Sequence, residues 1–428
     1  MRPSRAAYSL LLWCLLPFAF VRLAIKGLRV RGYWRGWGQR LGFIPVRLEQ
    51  SLWIHAVSVG EVRAAVPLAR ALHTAYPRCK LLVTTTTPTG AEQARALLGD
   101  VAEHTYLPYD LPVAVERFLA RAKPALLLVM ETEIWPVLYE RCARHRIPVC
   151  LLNARLSARS FRRYRHMPGL VRDTLGHVAL ITAQSDDDAA RLCELGAARG
   201  QIETTGNIKF DLDLPKDLAR QALPLRGAFT GATAVWIAAS THEGEEEVVL
   251  TIHAALRKRY PGLGLILAPR HPERAAALAR LCQRHGFTPV RRSLGGDPVI
   301  RGDALLLADT LGELPLLIAA AEVAFLGGSL VPVGGHNLLE PCALGVPVVF
   351  GPYMFNFTEI ARRVQSYGAG CEVPDARALL ETIDRYLADP KRRAAAGAAG
   401  QRLILDHRGA LERSLALLAP LIGATTLP

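Results

Sequence analysis

The sequence predicts an α/β protein made of two doubly wound domains, each with a parallel sheet covered by helices on both faces. Three observations predict it. Short apolar runs alternate with amphipathic stretches between residues 52 and 205, and again between 235 and 350. The runs are almost continuously apolar, the mark of strands buried on both sides. At 428 residues the chain also exceeds one ordinary core, on a prior of about 150 residues per domain.

The N-terminal segment comes first. Residues 6–21 are uncharged and mostly apolar, and include Trp13, Phe18 and Phe20. As a helix this run reaches only ~24 Å at ~1.5 Å per residue, short of a hydrocarbon core of ~30 Å. Arg2 and Arg5 precede it, Arg22 and Lys26 follow, and no small-residue cleavage pattern comes after. Basic flanks favour keeping both ends at the cytoplasmic face. Residues 1–25 therefore read as a membrane anchor, either interfacial or a short span. Trp34 and Trp37, with Arg31, Arg35 and Arg40, extend the interfacial character. The competing reading is an ordinary buried helix of the first domain.

Strand-like runs then cover 52–57, 80–85, 101–106, 125–130, 148–152, 178–182 and 202–205. After the first, Val62, Ala65, Val66, Ala69 and Leu72 form a helical stripe. The pattern pauses over 210–230, where Pro215 and Pro224 fall, and resumes at 235–239, 263–268, 304–307, 323–326 and 347–350. The expected division is a first Rossmann-like domain over 26–212, a linker over 213–230 and a second such domain over 231–428. The last helix is allowed to pack back on the first domain. Ligands of such sheets bind at the carboxyl ends of the strands, so the chemistry is sought there.

Composition narrows the function classes. Half the residues are hydrophobic, which excludes disorder as the main state. The eight cysteines are scattered without a CxxC pair, arguing for reduced thiols rather than a disulfide or zinc framework. The net charge of +14 is uneven. Residues 1–50 carry nine Lys/Arg against the single acid Glu49, and residues 141–172 carry nine arginines and no acid. A nucleic-acid binder would be more evenly basic; two local zones point to two anionic surfaces.

Several strand ends carry candidate chemistry. Ser58-Val59-Gly60-Glu61 opens a helix after the first run. Glu61 is either a helix cap or a general base; a base needs a pKa near neutrality, so burial or a second carboxylate must offset the helix dipole. Glu131-Thr132-Glu133 follows the fourth run and offers such carboxylates. Lys209 sits near the domain junction, as a solvated charge or as a cation for a leaving phosphate.

In the second half, Pro269 and Arg270 end one run, and Leu311-Gly312-Glu313 opens a helix. Residues 327–341, GGSLVPVGGHNLLEP, place four glycines before Asn337, Leu338, Leu339 and Glu340 at a helix start. Such a loop suits phosphate, and Glu340 suits a ribose diol, though a plain glycine-rich connection has the same composition. His55, His242 and His336 lack metal-ligand spacing, and Asp186–Asp188 and Asp211/Asp213 are weak metal motifs, so no metal site is expected.

At these positions the sequence resembles a known family. HAVSVGE (55–61), TTTTPTG (84–90), YLPYDLP (106–112), METEIWP (130–136), NARLSARS (153–160), TGNIKFD (205–211), STHEGEE (240–246), PRHPER (269–274) and the 327–341 motif are similar to the Kdo transferases of lipid A biosynthesis. The resemblance runs from about residue 8 to 410. It implies the GT-B glycosyltransferase fold, two Rossmann-like domains facing across a cleft with the acceptor on the first domain.

It further implies inverting transfer of 3-deoxy-D-manno-octulosonic acid (Kdo) from CMP-Kdo to the tetraacyl lipid A precursor, without a cofactor or a metal at the transfer step. Glu61 would be the base, and Glu131 and Lys209 would stabilise the transition state. Pro269, Arg270, Leu311, Gly312, Glu313 and Asn337 to Glu340 would hold CMP. The expected place is the cytoplasmic side of a bacterial inner membrane. Arg159, Arg162 and Arg163, in the acid-free zone, are the candidate contacts to the bisphosphorylated lipid. The rivals are another GT-B transferase, a sugar-nucleotide 2-epimerase, which needs no membrane segment, and an inactive anionic-lipid-binding protein.

Overall fold

The computed structural model describes residues 3–215, 217–295 and 299–426. Two units emerge: residues up to Asp211 together with those from Arg408 onward, and Leu212–His407.

The first unit holds strands β1 (Ser51–His55), β2 (Leu81–Thr85), β3 (Ala102–Tyr106), β4 (Pro124–Met130), β5 (Val149–Ala154), β6 (Val178–Ala183) and β7 (Ile202–Thr204). Their order in the sheet is β3-β2-β1-β4-β5-β6-β7, all parallel. Alternate residues feed two cores. Trp53, Leu127 and Val129 face one layer; Leu52, Ile54, Leu126 and Leu128 face the other. That two-sided burial is why these strands lack polar alternation. The order reverses between β1 and β4, which makes their carboxyl ends the switch point.

The second unit repeats the design with β8 (Ala234–Thr241), β9 (Leu263–Pro269), β10 (Thr288–Arg291), β11 (Ala304–Leu307), β12 (Val323–Leu326), β13 (Val348–Phe350) and β14 (Gly370–Glu372). The order is β10-β11-β9-β8-β12-β13-β14, with the switch between β8 and β12. β10 and β14 were not expected. Both are edge strands with one neighbour each, and their side chains are only partly covered apart from Gly370, so no apolar run announces them.

Two boundaries differ from the sequence expectation, and a third takes the alternative it allowed, the last helix packing back on the first domain. The supposed linker over 213–230 carries the helix Leu218–Gly227, which buries Leu218, Ala222 and Leu225 at i, i+4 and i+7 and packs on the helix Leu314–Ala319. Pro224 falls in its last turn, where its missing N–H costs the helix one bond, to the Arg220 carbonyl. The last helix, Ala410–Thr426, belongs to the first unit, burying Leu418 and Ile422 in its core. Asp211 fastens it by accepting from the N–H groups of Gly409 (2.6 Å) and Leu411 (2.7 Å). The N-terminal helix spans Pro3–Arg29, longer than the 16-residue run, and by length and composition could cross a membrane. Arg2 lies outside the described residues.

Candidate functional site

At the first switch point β1 runs into the helix Val59–Ala75. Ser58 caps it, accepting weakly from the Glu61 N–H (3.5 Å). Glu61 reaches back: one oxygen accepts from the Val57 N–H at 2.7 Å, the other from the Ser58 hydroxyl at 2.9 Å. Helix capping is therefore part of its role. Capping does not dominate the electrostatics. Burial pushes the Glu61 carboxyl up to about 7, and Glu131 adds to that, against the opposing pull of Val57, Ser58 and Lys209.

Glu131 follows β4 with φ 57°, a left-handed backbone that is strained for a glutamate. Its N–H continues the ladder to Leu152 O (2.8 Å), and the chain then turns sharply, aiming the side chain at Lys209. The Lys209 Nζ donates to Glu131 Oε1 at 3.1 Å, with both side chains about a quarter exposed (25% each). Lys209 is held by its neighbours, since Ile208 and Phe210 on either side are buried anchors. Asn207 caps the turn by accepting from the Lys209 N–H (3.0 Å), and buried Asn153 accepts from the Ile208 N–H (3.0 Å). Gln184 ties the two asparagines together.

Sequence reasoning noted Glu133 only as a companion carboxylate. Burial pushes its carboxyl to about 7 as well, with Glu61 and Glu131 raising it and Arg163 opposing. The signal was the Glu-Thr-Glu spacing at a strand end. Asn153 and Gln184 gave no sequence signal, because their role is contact across strands. Of the three arginines proposed for the acceptor, Arg163 thus lies in the field of Glu133. Arg159, Arg162 and Arg163 are all exposed on the short helix Ala158–Tyr164. Elsewhere the arginine zone is partly structural: Arg141 pairs with Glu116 and Glu140, and Arg144 with Glu140.

At the second switch point the glycine-rich segment is not an open phosphate cradle throughout. Glu245, fully buried, accepts from the N–H groups of Gly328 (2.7 Å), Ser329 (3.0 Å), Leu330 (2.9 Å) and His242 (2.9 Å). An internal carboxylate already fills that nest. A Cβ on Gly327 would lie 2.7 Å from a Glu245 oxygen, which explains the glycine. The second half of the loop is built differently. Gly334 and Gly335 have φ 112° and 75° and both donate to Gly328 O, folding the chain back. Asn337 follows, accepting from the Leu339 N–H (3.2 Å) and donating to Glu340 (3.3 Å). Leu338 and Leu339 bury their side chains in the core, so only their backbone can serve a ligand.

Around this loop, His242 and His336 meet Nε2 to Nε2 at 2.9 Å with nearly parallel rings. Burial lowers the His242 pKa, and His271, Arg270 and Arg274 add to that against Glu245. Arg270 follows β9, its N–H bonded to Thr241 O (3.0 Å), and its guanidinium makes no ion pair among the described residues. Pro269 is buried and offers only its carbonyl. Leu311 is highly exposed at 78%, and Gly312 has φ 85°. Glu313 is engaged by Arg292 (3.0 Å) and Thr310, which hold its carboxyl below the usual range.

The acid motifs once considered for metal have other work. Asp211 fastens the last helix, and Asp188 accepts from the Leu156 N–H (2.8 Å) and the Ser185 hydroxyl (2.5 Å). His55 is buried, with Nδ1 on Thr84 Oγ1 (2.9 Å).

Comparison with known proteins agrees with this arrangement. Residues 35–212 match the family model described as 3-deoxy-D-manno-octulosonic-acid transferase (kdotransferase), and residues 305–403 match that of glycosyl transferases group 1. The chain is 40% identical to a 3-deoxy-D-manno-octulosonic acid transferase of Haemophilus influenzae, over 96% of this chain and 97% of that protein. It is 38% identical to one of Bordetella pertussis, over 98% and 100%. A UDP-GlcNAc 2-epimerase from Neisseria meningitidis shares the fold, with TM-score 0.57 over 87% of this chain and 100% of that one, at 14% identity. With such identity along nearly the whole of both chains, and parallel-sheet units of this kind, the chain belongs to the 3-deoxy-D-manno-octulosonic acid transferases, a glycosyltransferase family.

Proposed function

We propose that the protein transfers Kdo from CMP-Kdo to the tetraacyl lipid A precursor, with inversion at the anomeric carbon. One observation carries the chemical part. Glu61 is a carboxyl tuned to about 7, held by Val57 and Ser58, beside the Lys209–Glu131 pair. A general base works best with a pKa near the operating pH.

In this reading the acceptor hydroxyl oxygen bonds to the anomeric carbon of Kdo. The bond from that carbon to the CMP phosphate oxygen breaks, and CMP leaves with the electron pair. The hydroxyl proton passes to Glu61. Lys209, fixed by Glu131, faces the negative charge that develops on the donor. Arg270, the backbone at Pro269, Leu311, Gly312 and Glu313, and the segment Asn337 to Glu340 hold CMP. CMP leaves with a single phosphate, less negative than a diphosphate, and Arg270 and Lys209 are the cations offered to it, so the scheme includes no metal. Arg159, Arg162 and Arg163 take the phosphates of the acceptor. The basic residues flanking the helix Pro3–Arg29 suit the cytoplasmic face of an inner membrane.

The test is incubation of the full chain with CMP-Kdo and the tetraacyl precursor, with products resolved by mass and the anomeric configuration by NMR. Expected is the precursor carrying Kdo in the inverted configuration. Retained configuration would remove Glu61 from the role of base. Release of CMP without a glycosylated lipid would overturn the acceptor assignment.

A further inference from the structure

The N-terminal helix Pro3–Arg29 is fastened to the first unit near both of its ends. Arg5, Ser9, Leu23 and Gly27 are buried, and Phe20 stands between them, a spacing that follows one helical stripe. Near the N-terminal end the Arg5 guanidinium, 6% exposed, pairs with Asp173 and with Glu140 at 3.3 Å, and lies 3.3 Å from His177 Nε2. One turn on, Tyr8 hydrogen-bonds Asp110, whose carboxylate caps the helix Pro136–Arg144 through the N–H groups of Val137 (3.0 Å) and Leu138 (2.7 Å). At the other end Phe20 packs on Trp37 and Tyr109, and Trp34 Nε1 donates to Ala24 O at 3.1 Å. Gly27 is needed there, since a Cβ would lie 2.0 Å from the Trp34 ring.

The opposite face is apolar and exposed. Leu10, Leu11, Phe18, Val21, Ile25 and Leu28 are each between 56% and 75% exposed. Beyond the helix, Trp34 and Phe43 are also exposed. Its rim is basic, with Arg22, Lys26, Arg29, Arg31 and Arg35 exposed and no acid before Glu49.

We propose that this helix lies in the plane of one leaflet of an anionic phospholipid bilayer and does not cross it. A spanning helix must stand away from its water-soluble body, leaving its sides to lipid. Here both ends are fastened to the same unit, so a crossing would require releasing Arg5 from two buried carboxylates and Tyr8 from Asp110. An in-plane helix keeps those bonds, sinks its apolar face to the acyl boundary and sets its cations among anionic headgroups. The occupant follows from that charge: a negatively charged leaflet matches the rim, whereas a second copy of the chain would bring like charges together. The proposal rests on the membrane reading above and adds an orientation to it.

The experiment adds the full chain to preformed vesicles, so that the protein reaches them from outside only. Phosphatidylcholine vesicles containing phosphatidylglycerol are compared with pure phosphatidylcholine ones. Binding should be about tenfold stronger to the former and weaken with salt. A Ser4→Cys chain, in a background with Cys14, Cys193 and Cys371 replaced by serine, is then treated with a membrane-impermeant maleimide. Expected is labelling of bound protein without detergent. Labelling only after detergent would show that the helix crosses, overturning the in-plane orientation while the membrane reading stands. No vesicle binding, or association into dimers instead, would overturn both. As a check on the clamp, Arg5→Leu should speed backbone hydrogen exchange in the helix's first turns at least about tenfold; unchanged exchange would remove Arg5 from its fastening role.

Discussion

Glu61 and Glu245 occupy matching places in the two units, each in the first turn of the helix that follows a central strand. Their environments diverge. Glu245 is wholly buried and accepts from four backbone N–H groups, which fix it as an internal anchor of the glycine-rich loop. Glu61 is only partly buried and accepts from one backbone N–H and one hydroxyl, too little to offset its lost hydration. The same residue at the same topological position is thus a structural peg in one unit and, in the other, a carboxyl that burial pushes up to about 7. The count of donors decides between them.

The largest expected effect tests the titratable member. Glu61→Gln should lower kcat by about 10²–10⁴-fold with CMP affinity by calorimetry nearly unchanged. In the wild type, kcat/KM should rise with pH to about 7 and then level off, because Glu61 must shed its proton to act. Stability moves the other way. Glu61 and Glu133 hold their protons more tightly folded than unfolded, so their contribution is complete below about 4.5 and is lost as pH rises through about 7. A flat rate profile in that window would end the contrast with Glu245.

Glu245→Ala tests the structural member. It strands buried amides of Gly328, Ser329 and Leu330, and should cost about 3 kcal/mol or more in denaturant unfolding. A loss confined to activity would mean that Glu245 serves a ligand after all.

A smaller effect separates strain from function. Glu131→Gly should be about 1 kcal/mol more stable than Glu131→Ala, since only glycine takes φ 57° without strain, yet both should lose transfer equally. The smallest effect concerns the exposed arginines. Replacing Arg159, Arg162 and Arg163 with alanine should raise the acceptor KM about tenfold without altering CMP affinity, on the scale of a few exposed charge contacts. An unchanged KM would make that face merely solvated.

Much of this was legible in the sequence, and for identifiable reasons. Most of the twelve expected strands announce themselves as apolar runs because they are buried on both sides; β3 and β7, at the edges of the first sheet, are wetter. The two edge strands of the second sheet, Thr288–Arg291 and Gly370–Glu372, do not, being only four and three residues long with partly wet side chains. The helix Leu218–Gly227 hid behind Pro215 and Pro224, although its Leu and Ala spacing was there to read. In the site, Ser58-Val59-Gly60-Glu61 and Glu131 to Glu133 stood out by their place at strand ends. Glu245 was visible only as one acid in a run of three.

The sequence by itself determined the two parallel sheets and the family, since apolar periodicity and long motifs are local properties of the chain. Which acids serve as internal anchors and which are pushed toward neutrality was decided only by tertiary structure. Desolvation depends on what packs around a carboxyl, and hydrogen bonds from residues 83 to 85 positions away, as at Glu245, leave no trace in local composition. The N-terminal helix follows the same division. Its apolar character is written in residues 6–21, but its stripe of contacts from Arg5 to Gly27 exists only once Glu140, Asp173 and Asp110 have been brought together by folding.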